Sequence, residues 1–284
     1  MRIAVLSDVH GNLPALEAVL ADLKDFSPRH ILFAGDFTRG PHPNEVIDRL
    51  RELDTLMIRG NDDRGPLRYV DRQVPQEWRT FKQFGMLRWT VNHLSARNLA
   101  FLRELPEQRV VHLPGADSLR LVHGSPDHPA RGLDPVGEPA ALDQALNGIA
   151  EVGLVCAHTH RQWAVCRKGR LAVNPGAVAG TQIGPRAQYA RLEWDGRRWQ
   201  VDLRTVDYDT APLRAAFEAS GLLAEGGMMA LGFLLSMETG HDHMMAFFHF
   251  ASKLAGQAGC PAGQAIPDEI WDRATGFYRS STCV

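Results

Sequence analysis

Seven side chains able to bind metal sit just beyond short apolar runs. Asp8 and His10 follow residues 3–6, and Asp36 follows 31–34. Asn61 follows 56–58, His123 follows 119–122, and His158 and His160 follow 154–156. Short apolar runs bounded by turn residues read as buried strands, and the functional crevice of an α/β sheet lies beyond its strand ends. Five strand ends therefore bring two aspartates, one asparagine and four histidines to one region. Imidazole and carboxylate together suit Zn, Mn, Fe or Ni. Seven donors exceed the needs of one ion. They fit two ions sharing a bridging carboxylate about 3.5–4 Å apart, as in two-metal hydrolytic sites. Gly11, Gly35, Gly60 and Gly124 adjoin these residues. A sharp turn there calls for permissive backbone angles, and a small residue lets substrate approach the main chain.

The elements that hold these residues alternate over the first hundred positions. Leu13, Leu16, Val19, Leu20 and Leu23 recur at helical spacing, as do Val46, Ile47 and Leu50. Strand, helix, strand, helix, strand implies parallel pairing and an α/β architecture. Residues 75–106 read as helical, with Ser95 as an N-cap and Leu99 and Leu102 on one face. Short strands return at 119–122, 154–156 and 171–173. A hairpin pairs 189–194 with 199–203 around Asp195-Gly196. Beyond about residue 211 the chain becomes helical and Met-rich.

The 284 residues carry a net charge of −2, with 44% hydrophobic and 23% charged residues. That excludes a broad basic field for long nucleic acid or anionic lipid, and argues against a mainly disordered chain. Cys156, Cys166, Cys260 and Cys283 form no CxxC pair. The apolar run that ends at Ser7 is only four residues long, 3–6, too short for a signal peptide. The apolar stretch 228–237 is about half a membrane span. The expectation is a reduced, cytoplasmic protein with no membrane contact.

Asp8-x-His10, Gly35-Asp36, Gly60-Asn61-x-Asp63, Val122-His123-Gly124 and His158-x-His160 occur in this order. Together they resemble the motif series of the calcineurin-like metallophosphoesterase superfamily. Residues 40–46 (GPHPNEV), Trp89-Thr90, His123-Gly124-Ser125-Pro126 and 174–178 (NPGAV) agree with its small bacterial and archaeal phosphoesterase branch. The resemblance covers about residues 1–205. It implies a four-layer α/β-β/α sandwich over residues 1–210, with 64–107 as a helical insertion and 211–284 as a C-terminal helical appendage. It implies that one metal is held by Asp8, His10, Asp36 and His160, and the other by Asp36, Asn61, His123 and His158. Asp36, Asn61, Asp62 and His123 would act at the reacting group, and Asn12, Arg39 and Asn61 would contact substrate. Two divalent ions are implied, Mn ahead of Fe, Zn, Ni and Mg.

Charge balance agrees. Two divalent ions and two aspartates leave a net +2, suited to a bridging hydroxide and a phosphate oxygen. The expected reaction is attack of that hydroxide on phosphorus in line with the leaving group. The favoured function is a phosphodiesterase or phosphatase for small, nucleotide-like esters. The alternatives are a catalytically silent scaffold of the same fold and a phosphoprotein phosphatase.

Two positions depart from the family pattern. Many members have His between Asn and Asp in the third motif, where this chain has Asp62. Asp62 is either a substitute acid for the leaving group or an ordinary loop residue. The second motif, residues 35–40, is one residue shorter than the common form, which bears on Arg39. Arg59, Arg64 and Arg161 also lie beside motifs, where arginine could clamp phosphate. His42 and His128 could reach substrate, whereas His30, His93 and His112 read as structural. Asn12 and Asn174 read as active-site or supporting groups, and Trp89 as core. His241 and His243, read on one helix, point about 200° apart and cannot share an ion. The Met- and Phe-rich segment 228–250 could cover the core, form a lid or bind a second copy of the chain.

Overall fold

The computed structural model of the chain describes residues 1–282, and Cys283 lies outside the described residues. Ten strands occur among them: β1 (Arg2–Leu6), β2 (His30–Phe33), β3 (Thr55–Met57), β4 (Gln108–Val111), β5 (Leu119–Val122), β6 (Gly153–Val155), β7 (Gln162–Arg167), β8 (Arg170–Pro175), β9 (Arg186–Trp194) and β10 (Trp199–Asp207). They form two five-stranded sheets, ordered β10-β9-β1-β2-β3 and β4-β5-β6-β8-β7. β1, β2 and β3 are parallel, as are β5, β6 and β8, while the remaining pairings are antiparallel. β4 and β7 are edge strands that the sequence pattern did not announce. They are only partly buried, so they carry Gln and Arg where a central strand carries aliphatic residues.

Helices flank the sheets. In the first part these are α1 (Leu13–Phe26), α2 (Pro43–Arg51), α3 (Asn61–Val70), α4 (Glu77–Thr80), α5 (Gly85–His93), α6 (Ala96–Glu104) and α7 (Pro139–Asn147). Ser95 caps α6 by accepting from the Asn98 amide at 3.1 Å. The C-terminal part supplies α8 (Ala211–Ala219), α9 (Leu222–Thr239), α10 (His243–Gln257) and α11 (Asp268–Thr282).

Alternation along β1 explains the layering. Ile3 and Val5 point into a core shared with Leu119, Leu121, Val155 and Val173 of the other sheet. Ala4 and Leu6 point the opposite way, against Leu16, Val19 and Leu20 of α1 and Val46, Ile47 and Leu50 of α2. A third core, outside the second sheet, joins Leu154 and Ala172 to Leu142 and Leu146 of α7. Two sheets face to face, each covered by helices, make the four-layer sandwich. A strand buried on both faces must be apolar throughout, which is why residues 3–6 are an unbroken run. Each fully buried leucine contributes about 2 kcal/mol.

The C-terminal helices do not stand apart. Met86 and Trp89 of α5 share a core with Leu213, Phe217, Phe233, Leu234 and Met237, so Trp89 is core as expected. α9 kinks at Gly227, whose angles (φ 56, ψ −135) leave the helical region. The kink lets Gly85 abut Glu225, where any Cβ would collide with the carbonyl oxygen. Met228, Met237, Met244 and Phe247 are buried within the chain. Among the described residues no helix is long and apolar enough to cross a membrane, and Cys156, Cys166 and Cys260 are free thiols.

Candidate metal centre

The loops that leave the strands continue to pair after the strands end. Asp8 N donates to Gly35 O at 3.0 Å, and His10 N to Asp36 O at 3.0 Å. Ala157 N donates to His123 O at 2.7 Å, and Ala179 N to Asp8 O at 2.9 Å. The same ladders that hold the sheets thus carry the polar residues to one place. Asp8, His10, Asp36, His158 and His160 all adopt positive φ, between 46° and 68°. Non-glycine residues rarely sit there, at a cost of about 1–3 kcal/mol each, and such strain concentrates at functional sites. This corrects the simple reading of the glycines. Gly60 has an ordinary φ of −94°, and it is glycine because a Cβ would strike the Asp36 carboxylate.

Two donor groups meet, and a third overlaps both. Asp8, His10 and His160 each point a ligand atom into one volume, and Asp36, His123 and His158 into another, while His10, Asp36 and Asp62 also converge. His160 Nε2 is 3.3 Å and His10 Nε2 3.6 Å from Asp8 Oδ1. The two Nε2 atoms are 3.2 Å apart. His123 Nε2 is 3.1 Å from Asp36 Oδ2 and 3.0 Å from Asn61 Oδ1. Asp36 Oδ2 is also 4.0 Å from His10 Nε2, so it lies between the groups. The structure brings all seven expected donors together.

Hydrogen bonds fix which atoms face inward. His123 Nδ1 lies 2.6 Å from Ala34 O, and His160 Nδ1 lies 3.0 Å from Gly180 O. A carbonyl only accepts, so Nδ1 carries the proton, and in the neutral ring Nε2 has its lone pair free for a metal. Asn61 donates its Nδ2 to Asp62 Oδ1 at 3.0 Å, which turns Oδ1 of the amide toward His123. Asp8 Oδ2 accepts from the Ser7 hydroxyl at 2.6 Å. Asp8 Oδ1 is buried and has no hydrogen-bond partner, although three imidazoles surround it. An orphaned carboxylate oxygen amid imidazole nitrogens fits a divalent cation.

Electrostatics carry the same sign. Burial works to raise Asp8, but His160 and His10 beside it hold it well below the usual carboxylate range. Burial also opposes ionisation of Asp36, yet His123 and His10 bring it to about 2. Burial pulls His123 down, and Asp36 outweighs it, pushing the imidazole up to about 10. His158 is lowered by burial and by its neighbour His123.

Asp63 is a residue whose task the sequence did not disclose. Fully buried, it accepts from the amides of Asp36 (2.8 Å), Phe37 (2.9 Å), Thr38 (3.3 Å) and Gly60 (2.9 Å). It ties the Asp36 loop to the Asn61 loop. Burial and the Asp36 charge push its carboxyl up to about 6 against the pull of those amides. Asn174 does similar work on the other sheet, donating to Ala157 O and Thr159 Oγ1 and so holding the loop of His158 and His160.

Several expected contacts fall elsewhere. Asn12 is fully buried and caps α1, accepting from Ala15 N at 3.1 Å and donating to Tyr208 Oη at 3.0 Å. Its side chain is committed to the fold, so it is not a substrate contact. Arg59 and Arg64 turn to Glu107, and Arg161 to Asp134. Arg39 does line the central cavity, of about 290 Å³. It pairs with Asp62 at 2.5 Å and lies over the Phe233 ring. His42 lies at the start of α2, and His128 lines a separate small pocket. His241 is not helical, because Asp242 caps α10 by accepting from Met245 N. His241 lines the rim of the central cavity, whose wall is completed by Phe233, Ser236, Met244 and Met245. Phe233 meets the His10 ring edge-on at 5.4 Å.

Comparison with known proteins gives the family. The family model for the calcineurin-like phosphoesterase superfamily domain matches residues 1–197. An uncharacterized protein of Methanocaldococcus jannaschii is 28% identical over 237 residues, spanning 76% of this chain and 90% of that protein. The crystal structure of a metallophosphoesterase from Sphaerobacter thermophilus is 29% identical with a TM-score of 0.62, covering 80% of this chain and 100% of that one. A hypothetical protein from Pyrococcus horikoshii OT3, at 21% identity, shares the fold with a TM-score of 0.70 over 84% of this chain and 98% of its own. With more than half its length matched by that family model and its donors gathered at the strand ends, the chain belongs to the calcineurin-like phosphoesterase superfamily, as a metallophosphoesterase.

Proposed function

We propose that the protein hydrolyses small phosphate esters at a centre of two divalent ions, Mn ahead of Fe, Zn, Ni or Mg. The observation that carries this reading is the position of Asp36 Oδ2, 3.1 Å from His123 Nε2 and 4.0 Å from His10 Nε2. In it, Asp8, His10, Asp36 and His160 would hold one ion, and Asp36, Asn61, His123 and His158 the other. Bound divalent ions would supply a water of lowered pKa and neutralise charge on the phosphoryl oxygens. Hydrolysis would break the P–O bond to one ester oxygen, form a P–O bond to the water oxygen, and leave one of the water's protons on the departing oxygen.

The residues around the donors have their own work. Arg39 is about one-third exposed and faces the cavity, where its guanidinium can meet a phosphoryl oxygen. Asp62 accepts from Arg39 and Asn61 through Oδ1, which positions the Asn61 amide, and its buried Oδ2 faces the site 3.4 Å from His10 Nδ1. A cavity of about 290 Å³ walled by Phe233, Met244 and Met245 favours a small ester over a folded phosphoprotein. Seven competent donors favour catalysis over a silent scaffold.

The test is to add Mn to chelator-treated protein at pH 7.5. Metal ligation needs neutral imidazoles, whereas Asp36 and Asp8 hold the His123 and His160 pKa values above the usual one. Loading should therefore release at least about one proton, that of His123, read by calorimetry in buffers of different ionisation enthalpy. Since protons compete with metal, affinity should fall as pH drops. Hydrolysis of bis(4-nitrophenyl) phosphate or 4-nitrophenyl phosphate should appear with the metal. Loading without proton release and without hydrolysis would defeat the proposal.

A further inference from the structure

Hydrolysis of a phosphate ester must end with a proton on the departing oxygen. Where that oxygen would leave as a basic alkoxide or phenolate, a positioned acid speeds the step by about 10²–10⁴. Most of the ionisable and hydroxyl groups around the central cavity are engaged otherwise. His10, His158 and His160 belong to the donor groups. The Ser236 hydroxyl donates to Gly232 O at 2.7 Å, and the Thr181 hydroxyl to Arg186 O at 2.9 Å. Asp242 accepts from Met245 N at 3.0 Å. Asp62 accepts from Arg39 at 2.5 Å and from Asn61 at 3.0 Å.

His241 is the exception. It lines the same cavity as Asp36, His158 and His160, on the connection between α9 and α10. Among the described residues no hydrogen bond or ion pair engages its ring, whose neighbour is the His243 ring, edge-on at 6.2 Å. Its backbone, by contrast, is held. His241 N donates to Thr239 Oγ1 at 3.2 Å, and His243 N donates to His241 O at 2.8 Å. Gly240 before it has φ 75° and lies so close to Gly184 that any Cβ would strike the Gly184 amide nitrogen. That contact docks the connection against a loop whose Gly180, Thr181 and Gln182 line the cavity too. A cavity of about 290 Å³ is at the small end of ligand sites, so an ester bound at the donors also fills the space under this rim. Imidazole is the side chain that gives and regains a proton near neutral pH.

We propose that His241 is the acid that protonates the leaving oxygen. This rests on the phosphoesterase reading and adds a catalytic residue to that site. As the P–O bond breaks, its electron pair goes to the ester oxygen, which takes a proton from the His241 imidazolium. The proton lost by the attacking water passes to solvent, and solvent returns one to the imidazole. The sum is one ester bond hydrolysed by one water. The C-terminal helices thereby supply an acid that the strand ends do not.

The test uses Mn-loaded wild type, His241→Ala and His241→Gln on two matched diesters, bis(4-nitrophenyl) phosphate and diphenyl phosphate, or on the matching monoesters if those are the ones turned over. Nitrophenolate leaves with little help, whereas the more basic phenolate needs the proton. The wild type should turn over both. In the variants kcat/KM for the phenyl ester should fall about a hundredfold, at least about tenfold further than for the nitrophenyl ester. Added imidazole should restore part of the phenyl-ester activity of the alanine variant. Mn content by elemental analysis and the thermal midpoint should match the wild type, because His241 is exposed and holds no metal. Equal losses on the two esters would overturn the inference, as would no loss on either, loss of Mn, or a wild type that turns over the nitrophenyl ester alone. So would a loss that depends on the leaving group in Asp62→Asn and not in the His241 variants, which would give the acid to Asp62. Failure of the phosphoesterase reading shows separately, as no Mn-dependent turnover of either ester by the wild type.

Discussion

Asp36→Asn is expected to lower kcat/KM for a phosphate ester at least about a thousandfold, equivalent to about 4 kcal/mol of lost transition-state stabilisation. The substitution is nearly isosteric. Its oxygen can still accept from Asp62 N, a bond of 2.8 Å in the native loop, so the fold should persist. What it removes is the negative charge at the point where the two donor groups meet. In the protein's own field His123 and His10 outweigh burial and Asp8 and bring Asp36 to about 2, so its charge stabilises the metal-free fold at neutral pH. Losing that charge should therefore lower the thermal midpoint of the metal-free protein modestly while cooperative unfolding persists. Loss of turnover with the fold intact, measured by steady-state kinetics beside thermal unfolding, separates a ligand from a structural residue. A variant within tenfold of wild type would show that Asp36 is not the shared ligand.

Asp63→Ala should have the largest effect on stability, although Asp63 is not assigned as a ligand. Four amides lose their acceptor at once, in a place with 0% exposure. Stranding buried donors of this kind costs about 3–5 kcal/mol. For a domain of this size that lowers Tm on the order of 10 °C. Metal affinity should fall with it, because the Asp36 and Asn61 loops are no longer tied together. Asp63→Asn keeps one acceptor oxygen and should fall between. An alanine variant that melts within about 2 °C of wild type would show that these bonds do not hold the centre.

The donors could be read from the sequence because each stands just beyond an apolar run, and a parallel strand delivers whatever follows its last residue to the same edge. Asp8, His10, Asp36, Asn61, His123, His158 and His160 share that local signal. Other features had no such signal. Phe233 and Met244 reach the site through helix packing from more than 200 residues away, and no periodicity near residue 10 points to them. Asn12 looked like a substrate contact because it follows His10. An asparagine before Leu13-Pro14 is equally an N-cap signal, and the helix took it. The arginines misled for the opposite reason. Arg59, Arg64 and Arg161 are near the donors in sequence, but Glu107 and Asp134, remote in the chain, hold their heads away. His241 and His243 were read on one helix, whereas Asp242 starts that helix between them.

The binuclear centre is the claim on which the rest depends, and metal stoichiometry tests it most directly. Chelator-treated protein dialysed against Mn should retain two ions per chain by elemental analysis, and Asp36→Asn should retain no more than one. Two tightly held ions in Asp36→Asn, or a single ion in a fully active wild type, would contradict it.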